Sequence, residues 1–239
     1  MDQTTKKVLR RTCLIAVVTG GIGFVLRLLL YRIGADEKNM LVSWHPLTVG
    51  LALTALAIVA GAALNALELP KNSKCPGPVG RLAAAGSLVM GLSLVAFLFL
   101  CVKNHLSLLV IGAGALSAVA MIAAAVAQYR GRQPYFLLYT VVCLFMAGYL
   151  INRYRTWSQN PQLMDYVLTL VGMVIMMLYA FQLAQGSLGQ ATRRSFLMLS
   201  GVGAFLCLAG ASGGEAVPLC LDGAAWMITG LLSSPEESL

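Results

Sequence analysis

Charge is what this chain has least of, and acidic charge above all. Nine Asp and Glu stand against 17 Lys and Arg in 239 residues, and charged residues make up only 11%. A soluble domain is usually about 25% charged and about 45–50% apolar. Here 59% of residues are hydrophobic and the mean hydropathy is +0.80, more apolar surface than one aqueous core can hide. Histidine is scarce as well, limited to His45 and His105. There is no H-E-x-x-H, no Walker-type phosphate loop and no pair of intramembrane aspartates, so the motif-based enzyme classes lack their chemistry. The six cysteines (Cys13, Cys75, Cys101, Cys143, Cys207, Cys220) contain no C-x-x-C pair and mostly fall in apolar runs. They read as small buried thiols rather than as a metal site or a disulfide framework.

What is present is a series of apolar runs. A helix that crosses a bilayer takes about 20 apolar residues. Runs near that length occur at Thr12–Tyr31, Pro46–Leu64, Leu82–Val102, Leu106–Ala127, Tyr135–Ile151, Leu163–Leu183, Phe196–Ala211 and Val217–Leu232. The last is the weakest, which leaves seven spans as the alternative to eight. These long continuous runs are helical in character; a membrane barrel would show alternating ten-residue segments instead. The expected fold is an all-α, polytopic transmembrane bundle, a single membrane domain over residues 1–239. No length remains for a separate soluble domain.

Lys and Arg near span ends tend to stay cytoplasmic. The N-terminal arm and the second, fourth and sixth loops carry Lys6, Lys7, Arg10, Arg11, Lys71, Lys74, Arg81, Arg130, Arg132, Arg193 and Arg194. The opposite side carries the smaller set Arg27, Arg32, Lys38, Lys103, Arg153 and Arg155. Both termini are therefore expected in the cytoplasm of a cell whose plasma (bacterial inner) membrane holds the protein. The net charge of +8 then reports topology and gives no reason to invoke nucleic acid. The basic arm before the first span resembles a signal peptide, but that span outruns the 7–15 residues of a signal core and no A-x-A-like cleavage site follows. It reads as an uncleaved first helix.

Two segments look like variants of one design. An apolar span ends in Tyr31-Arg32, passes Asp36-Glu37-Lys38 and re-enters at Trp44-His45-Pro46. Another ends in Tyr154-Arg155, passes Trp157-Ser158-Gln159-Asn160-Pro161 and re-enters at Asp165-Tyr166. Topology puts both on the outer face, where basic residues run against the cytoplasmic bias and invite partners. Asp36 and Glu37 are natural partners for Arg153 and Arg155 if the first and third hairpins lie side by side, because an Arg fork accepts a carboxylate in bidentate fashion. The same arginines fit a lipid phosphate or a small anionic solute, with Trp157 and His45 shaping the pocket. The competing account is an interfacial belt, in which Trp and Tyr anchor at headgroup depth while Arg snorkels.

The order Tyr-Arg, Trp, Pro after the first and fifth spans suggests two four-span halves, 1–130 and 131–239, in the parallel arrangement some transporters use. Spacing argues the other way, since Trp lies 13 residues past Tyr31 but 3 past Tyr154. Small residues recur within spans (Gly20, Gly21, Gly23; Gly112, Gly114, Ala118, Ala125; Gly201, Gly203) and read as close-packing positions, or alternatively as hinges or a backbone-lined path. Asp36-Glu37-Lys38 with Leu41 and His45-Pro46, and Arg155-Thr156-Trp157-Ser158 through Asn160-Pro161-Gln162 to Asp165-Tyr166, resemble a family of multi-pass membrane proteins from clostridial-type bacteria. That resemblance implies topology over the whole chain and no particular chemistry.

A few polar residues need separate readings. Asp222 falls inside the eighth run and is either an intramembrane relay carboxylate or an interfacial one. Arg27, one turn before Tyr31, is expected to snorkel outward. Asp165 opens the sixth span, where a carboxylate favours the helix N-terminus. Gly210-Ala211-Ser212-Gly213 resembles the G-x-S-G motif of rhomboid intramembrane proteases, but those need a His on a later span and both histidines here come earlier. Trp44-His45-Pro46 resembles a His-Pro stretch of transmembrane b-type cytochromes, which makes His45 and His105 geometrically possible haem ligands; the two-haem members use at least four His, and this chain has two. The expectation is a membrane protein without a cofactor or metal and without catalytic residues. Its function is solute or lipid binding of a transport type, at an outward polar site of Asp36, Glu37, His45, Arg153, Arg155, Trp157 and Asp165. A membrane scaffold is the alternative.

Overall fold

The computed structural model describes residues 3–33, 45–70, 73–75, 77–103, 108–157, 163–211 and 217–233. They form eight α-helices: α1 (Gln3–Ile33), α2 (Pro46–Leu67), α3 (Arg81–Lys103), α4 (Leu108–Tyr129), α5 (Phe136–Trp157), α6 (Leu163–Ser187), α7 (Arg193–Gly210) and α8 (Val217–Ser233). Each carries one of the eight apolar runs, whole or short of it by one or two residues at one end. Proline marks their limits. Pro46 opens α2 and Pro218 is the second residue of α8, while Pro70, Pro76, Pro78, Pro134 and Pro161 fall between helices. A ring nitrogen without a proton is tolerated in a first turn and breaks a helix interior. Gly131 and Gly189, at φ +70° and +69°, supply left-handed residues in the turns after α4 and α6, the usual closing device of a helix C-terminus.

The basic arm is itself helical, so α1 starts at Gln3 rather than near residue 12. One face of the arm is buried through Thr5, Val8, Leu9 and Thr12, which gives it tertiary support while Lys6, Lys7 and Arg10 stay exposed.

Helices α3, α4, α5, α6, α7 and α8 each touch the next, and α8 returns to α3, so six helices close a ring. Helix α1 lies along α7, and among the described residues α2 packs mainly on α1 and α7. The interior of the ring is filled. Phe97 of α3 meets Tyr149 of α5 edge-on at 5.1 Å, and Tyr179 of α6 meets Trp226 of α8 edge-on at 4.8 Å. Met90, Met121, Met146, Met173 and Met176 are fully buried with them. Such a core of aromatic rings and pliable thioethers seals the ring.

Glycines set the closest helix approaches. A Cβ at Gly223 (α8) would land on Met176 (α6), one at Gly203 (α7) on Met227 (α8), and one at Gly86 (α3) on Thr229 (α8). Gly20 and Gly23 of α1 sit against Leu208, Phe205 and Ala209 of α7, and Gly201 of α7 sits against Thr12 of α1, so the two helices run in the same direction. The small-residue reading thus holds at Gly20, Gly23, Gly114, Gly201 and Gly203, whereas Gly21 and Gly112 face open space.

The near end, where α1 starts and α8 finishes, is tied by a strap. The α2–α3 connection forms a bridge between Lys74 and Thr192 of the α6–α7 connection, and the Cys75 N–H donates to the Ala191 carbonyl at 2.9 Å. Arg194 donates to the Leu69 carbonyl from Nε at 2.9 Å and from Nη2 at 2.6 Å, and to Leu67 at 3.4 Å. Carbonyls at a helix C-terminus lack partners within the helix and carry its negative dipole, so a guanidinium closes the end of α2. Gln128 does related work on α4, donating to the Pro78 carbonyl at 3.1 Å and the Tyr139 hydroxyl at 2.9 Å.

Candidate functional site

The far end, where α1, α3, α5 and α7 finish, carries the described polar residues of the two twin segments. On α5, Tyr139, Val142, Met146 and Tyr149 are buried at spacings of three and four residues, which places them on one helical stripe. Arg153 continues that stripe one turn beyond Tyr149. Its Nε donates to the Tyr149 hydroxyl at 3.0 Å, and its guanidinium carbon lies 5.7 Å from the centre of the Tyr149 ring. Tyr149 in turn packs edge-on against Phe97 across the ring. Arg153 is half-buried while its neighbour Arg155 is exposed. The result is a fixed cation on an aromatic shelf at the mouth of the six-helix ring.

Arg27 makes a second arginine–tyrosine pair, on α1. It is 2% exposed, the only charged side chain below a tenth exposed among the described residues. Its Nη1 donates to the Ala209 carbonyl at 3.4 Å and its Nη2 to the Tyr31 hydroxyl at 3.2 Å, with the guanidinium 5.6 Å from the Tyr31 ring centre. The expected outward snorkelling is therefore replaced by enclosure against α7. The physical reason is local. Ala209 belongs to the last turn of α7, whose carbonyls are orphaned, and a cation there is favoured by the helix dipole. Gly23 opens the space beside it by letting α1 approach Phe205 and Ala209.

His45 is the N-cap of α2. Its Nδ1 accepts from the Leu47 N–H at 3.3 Å, with Pro46 as the first helical residue. The geometry gives this histidine a helix-starting role. Asp165 is the third residue of α6 and Trp157 the last of α5; their side chains lie outside the described set. So do Asp36, Glu37, Lys38, Trp44, Ser212 and His105. Asp222, the sixth residue of α8, is half-buried, beside the buried Gly223.

The side-by-side packing of the first and third hairpins is not found among the helices. α1 and α2 pack on α7, α5 packs on α4 and α6, and α7 stands between α1 and α6. The two arginine–tyrosine pairs thus share an end of the bundle while belonging to different seams. Sequence reasoning missed Tyr149 and Phe97, which read as ordinary span residues. The stripe spacing that leads to Arg153 was the available signal. It also took Arg193 and Arg194 as topological charges, although both bind carbonyls of the α2–α3 connection, Arg193 through Lys74 at 3.1 Å.

Among the described residues no group of three or more His, Cys, Asp or Glu is placed to hold a metal ion. Cys13, Cys75, Cys207 and Cys220 are buried free thiols, and Cys143 is a half-buried one.

Six of the helices are long and apolar enough to cross a membrane, and α8 is a shorter apolar helix beside them. With a ring whose outer faces are rich in exposed Leu, Val and Phe, these features define a multi-pass integral membrane protein built as a helical bundle. No protein-family model, curated protein or solved structure matches the chain.

Proposed function

We propose that this protein binds a small anionic solute at the far end of the six-helix ring, as a transport-type membrane protein facing outward there. The observation that carries the reading is Arg153: a cation half-buried at the end of an otherwise apolar, fully buried stripe, oriented by Tyr149. Carboxylates, phosphates and sulfonates are the groups that a guanidinium engages through paired N–H donors. The basic residues gathered at the near end support a cytoplasmic location for both termini, which puts the mouth outside. Phe97 and Tyr149 are buried in contact beside Arg153, so passage through the ring would require these two rings to separate.

The test is thermal unfolding of detergent-purified protein against a panel of carboxylates, phosphates and sulfonates. A ligand at 100 times its Kd stabilises by about 2.7 kcal/mol. At least one anion should raise the unfolding temperature of the wild type, and Arg153→Gln should lose that response while still folding. If no anion acts, or if Arg153→Gln responds equally, the reading is wrong.

A membrane scaffold is the second reading, favoured by α2, which exposes Leu53, Leu56, Val59, Leu64 and Leu67. It prevails if no solute shifts unfolding and Leu53→Cys forms crosslinks between copies or to a companion protein in the membrane.

A further inference from the structure

A different feature lies at the near end, between α3 and α4. There a groove of about 360 Å³ is lined by Arg81, Ala84, Ala85, Leu88, Ala125, Val126 and Tyr129. The volume falls in the range of pockets that take small ligands, about 300–1,000 Å³. Three alanines make the space. They stand where larger side chains would let α3 and α4 present a flush surface. From Arg81 to Leu88 the groove follows α3 for about 10 Å at 1.5 Å per residue. Headgroup layers are about 5–7 Å thick on each side of the hydrocarbon. The groove therefore starts at headgroup depth, at Arg81 and Tyr129, and ends among acyl chains, at Leu88.

Among the described residues, the charges at the groove's mouth are positive. Arg81 is exposed, and Tyr129 is followed by exposed Arg130 and Arg132 in the α4–α5 turn. The sequence holds no Asp or Glu from residue 69 to residue 164, so α3, α4 and their connections supply no carboxylate to match these cations. The preceding acid, Glu68, already faces Arg11 at 3.8 Å. A cationic lip over an apolar slot at headgroup depth is complementary to one molecule that the surroundings provide in quantity.

We propose that the α3–α4 groove is a binding site for an anionic phospholipid of the bilayer, with one acyl chain along Ala84, Ala85, Leu88 and Ala125 and the phosphate on Arg81. Arg130 and Arg132 add attraction for a headgroup that carries net negative charge, and basic pockets between spans are recognised sites for such lipids. The site is separate from the Arg153 mouth, at the opposite end of the bundle.

The experiment uses the full chain in neutral detergent, with lipid retention read by native mass spectrometry and by the unfolding temperature. Phosphatidylglycerol and phosphatidylcholine with identical acyl chains are compared, and inorganic phosphate is a separate arm. Wild type should prefer phosphatidylglycerol by fivefold or more. Arg81→Gln, at an exposed position in the first turn of α3, should reduce the preference to near parity. Ala85→Phe, which fills the slot from an exposed position, should weaken both lipids. Equal retention of the two lipids by wild type overturns the proposal. So does an unchanged preference in Arg81→Gln, an unchanged affinity in Ala85→Phe, or full stabilisation by phosphate alone, which would reduce the site to a simple anion site.

Discussion

Arginine does three separate jobs in this molecule, and the difference is made by what each guanidinium reaches. Arg194 closes α2 from 125 residues away through the Leu69 carbonyl, Arg27 closes α7 through Ala209, and Arg153 rests on a tyrosine at the far end of the bundle. Removing a donor from a buried or half-buried carbonyl leaves it unsatisfied, at a cost of about 1–3 kcal/mol. Arg194→Met should therefore lower stability by about that amount in denaturant titration of the solubilised protein. Arg194→Lys should recover part of the loss, since one ammonium can reach one carbonyl. Equal stability of Arg194→Met and wild type would show that water or lipid serves α2 as well. These roles were unevenly legible. The cap at His45 follows from a His-Pro pair at the start of an apolar run. Burial of Arg27 does not, because its partner is 182 positions away in the chain and every arginine near a span end looks alike in one dimension.

Among the elements, α8 departs furthest from its appearance. It is the weakest apolar run, with 17 residues or about 26 Å of helix, yet it is held by α3 and α7 and also touches α1 and α6. Hydropathy measures how well a helix suits lipid. A helix enclosed by protein is selected instead for small residues on its contact faces, and Gly223, Ala224 and Gly230 are all buried here. The same logic predicts unequal tolerance at glycines. Gly223→Leu must displace Met176 and should destabilise by about 1–3 kcal/mol, the usual cost of overpacking. Gly21→Ala and Gly112→Ala meet open space and should be neutral or stabilising by up to about 1 kcal/mol from reduced backbone entropy. Paired unfolding curves of the three variants check the contrast; comparable losses at all three would refute it.

On the scale of the whole molecule, a closed six-helix ring with two flanking helices distributes lipid exposure very unevenly. A membrane-soluble carbene reagent should label α2 heavily at Leu53, Leu56 and Leu64 and leave α7, buried through Phe205, Leu206 and Cys207, almost untouched; comparable labelling of the two would refute the ring. The eight apolar runs could be read from composition, because the cost of unsatisfied backbone in lipid leaves few alternatives, whereas the polar extensions of α1 back to Gln3 and of α5 on to Trp157 could not. Which helix lies beside which could not, since apolar runs of one length carry no neighbour code. Helices of the two expected halves in fact share one core, α1 and α2 against α7 and α3 against α8. The strap between the α2–α3 and α6–α7 connections also imposes a timetable on biogenesis. Arg194 leaves the ribosome 125 residues after Leu69, an interval of about 6–25 s at about 5–20 residues per second. Of the two helices α2 packs against, only α1 is present throughout that interval, so the C-terminal end of α2 acquires its guanidinium cap late in synthesis.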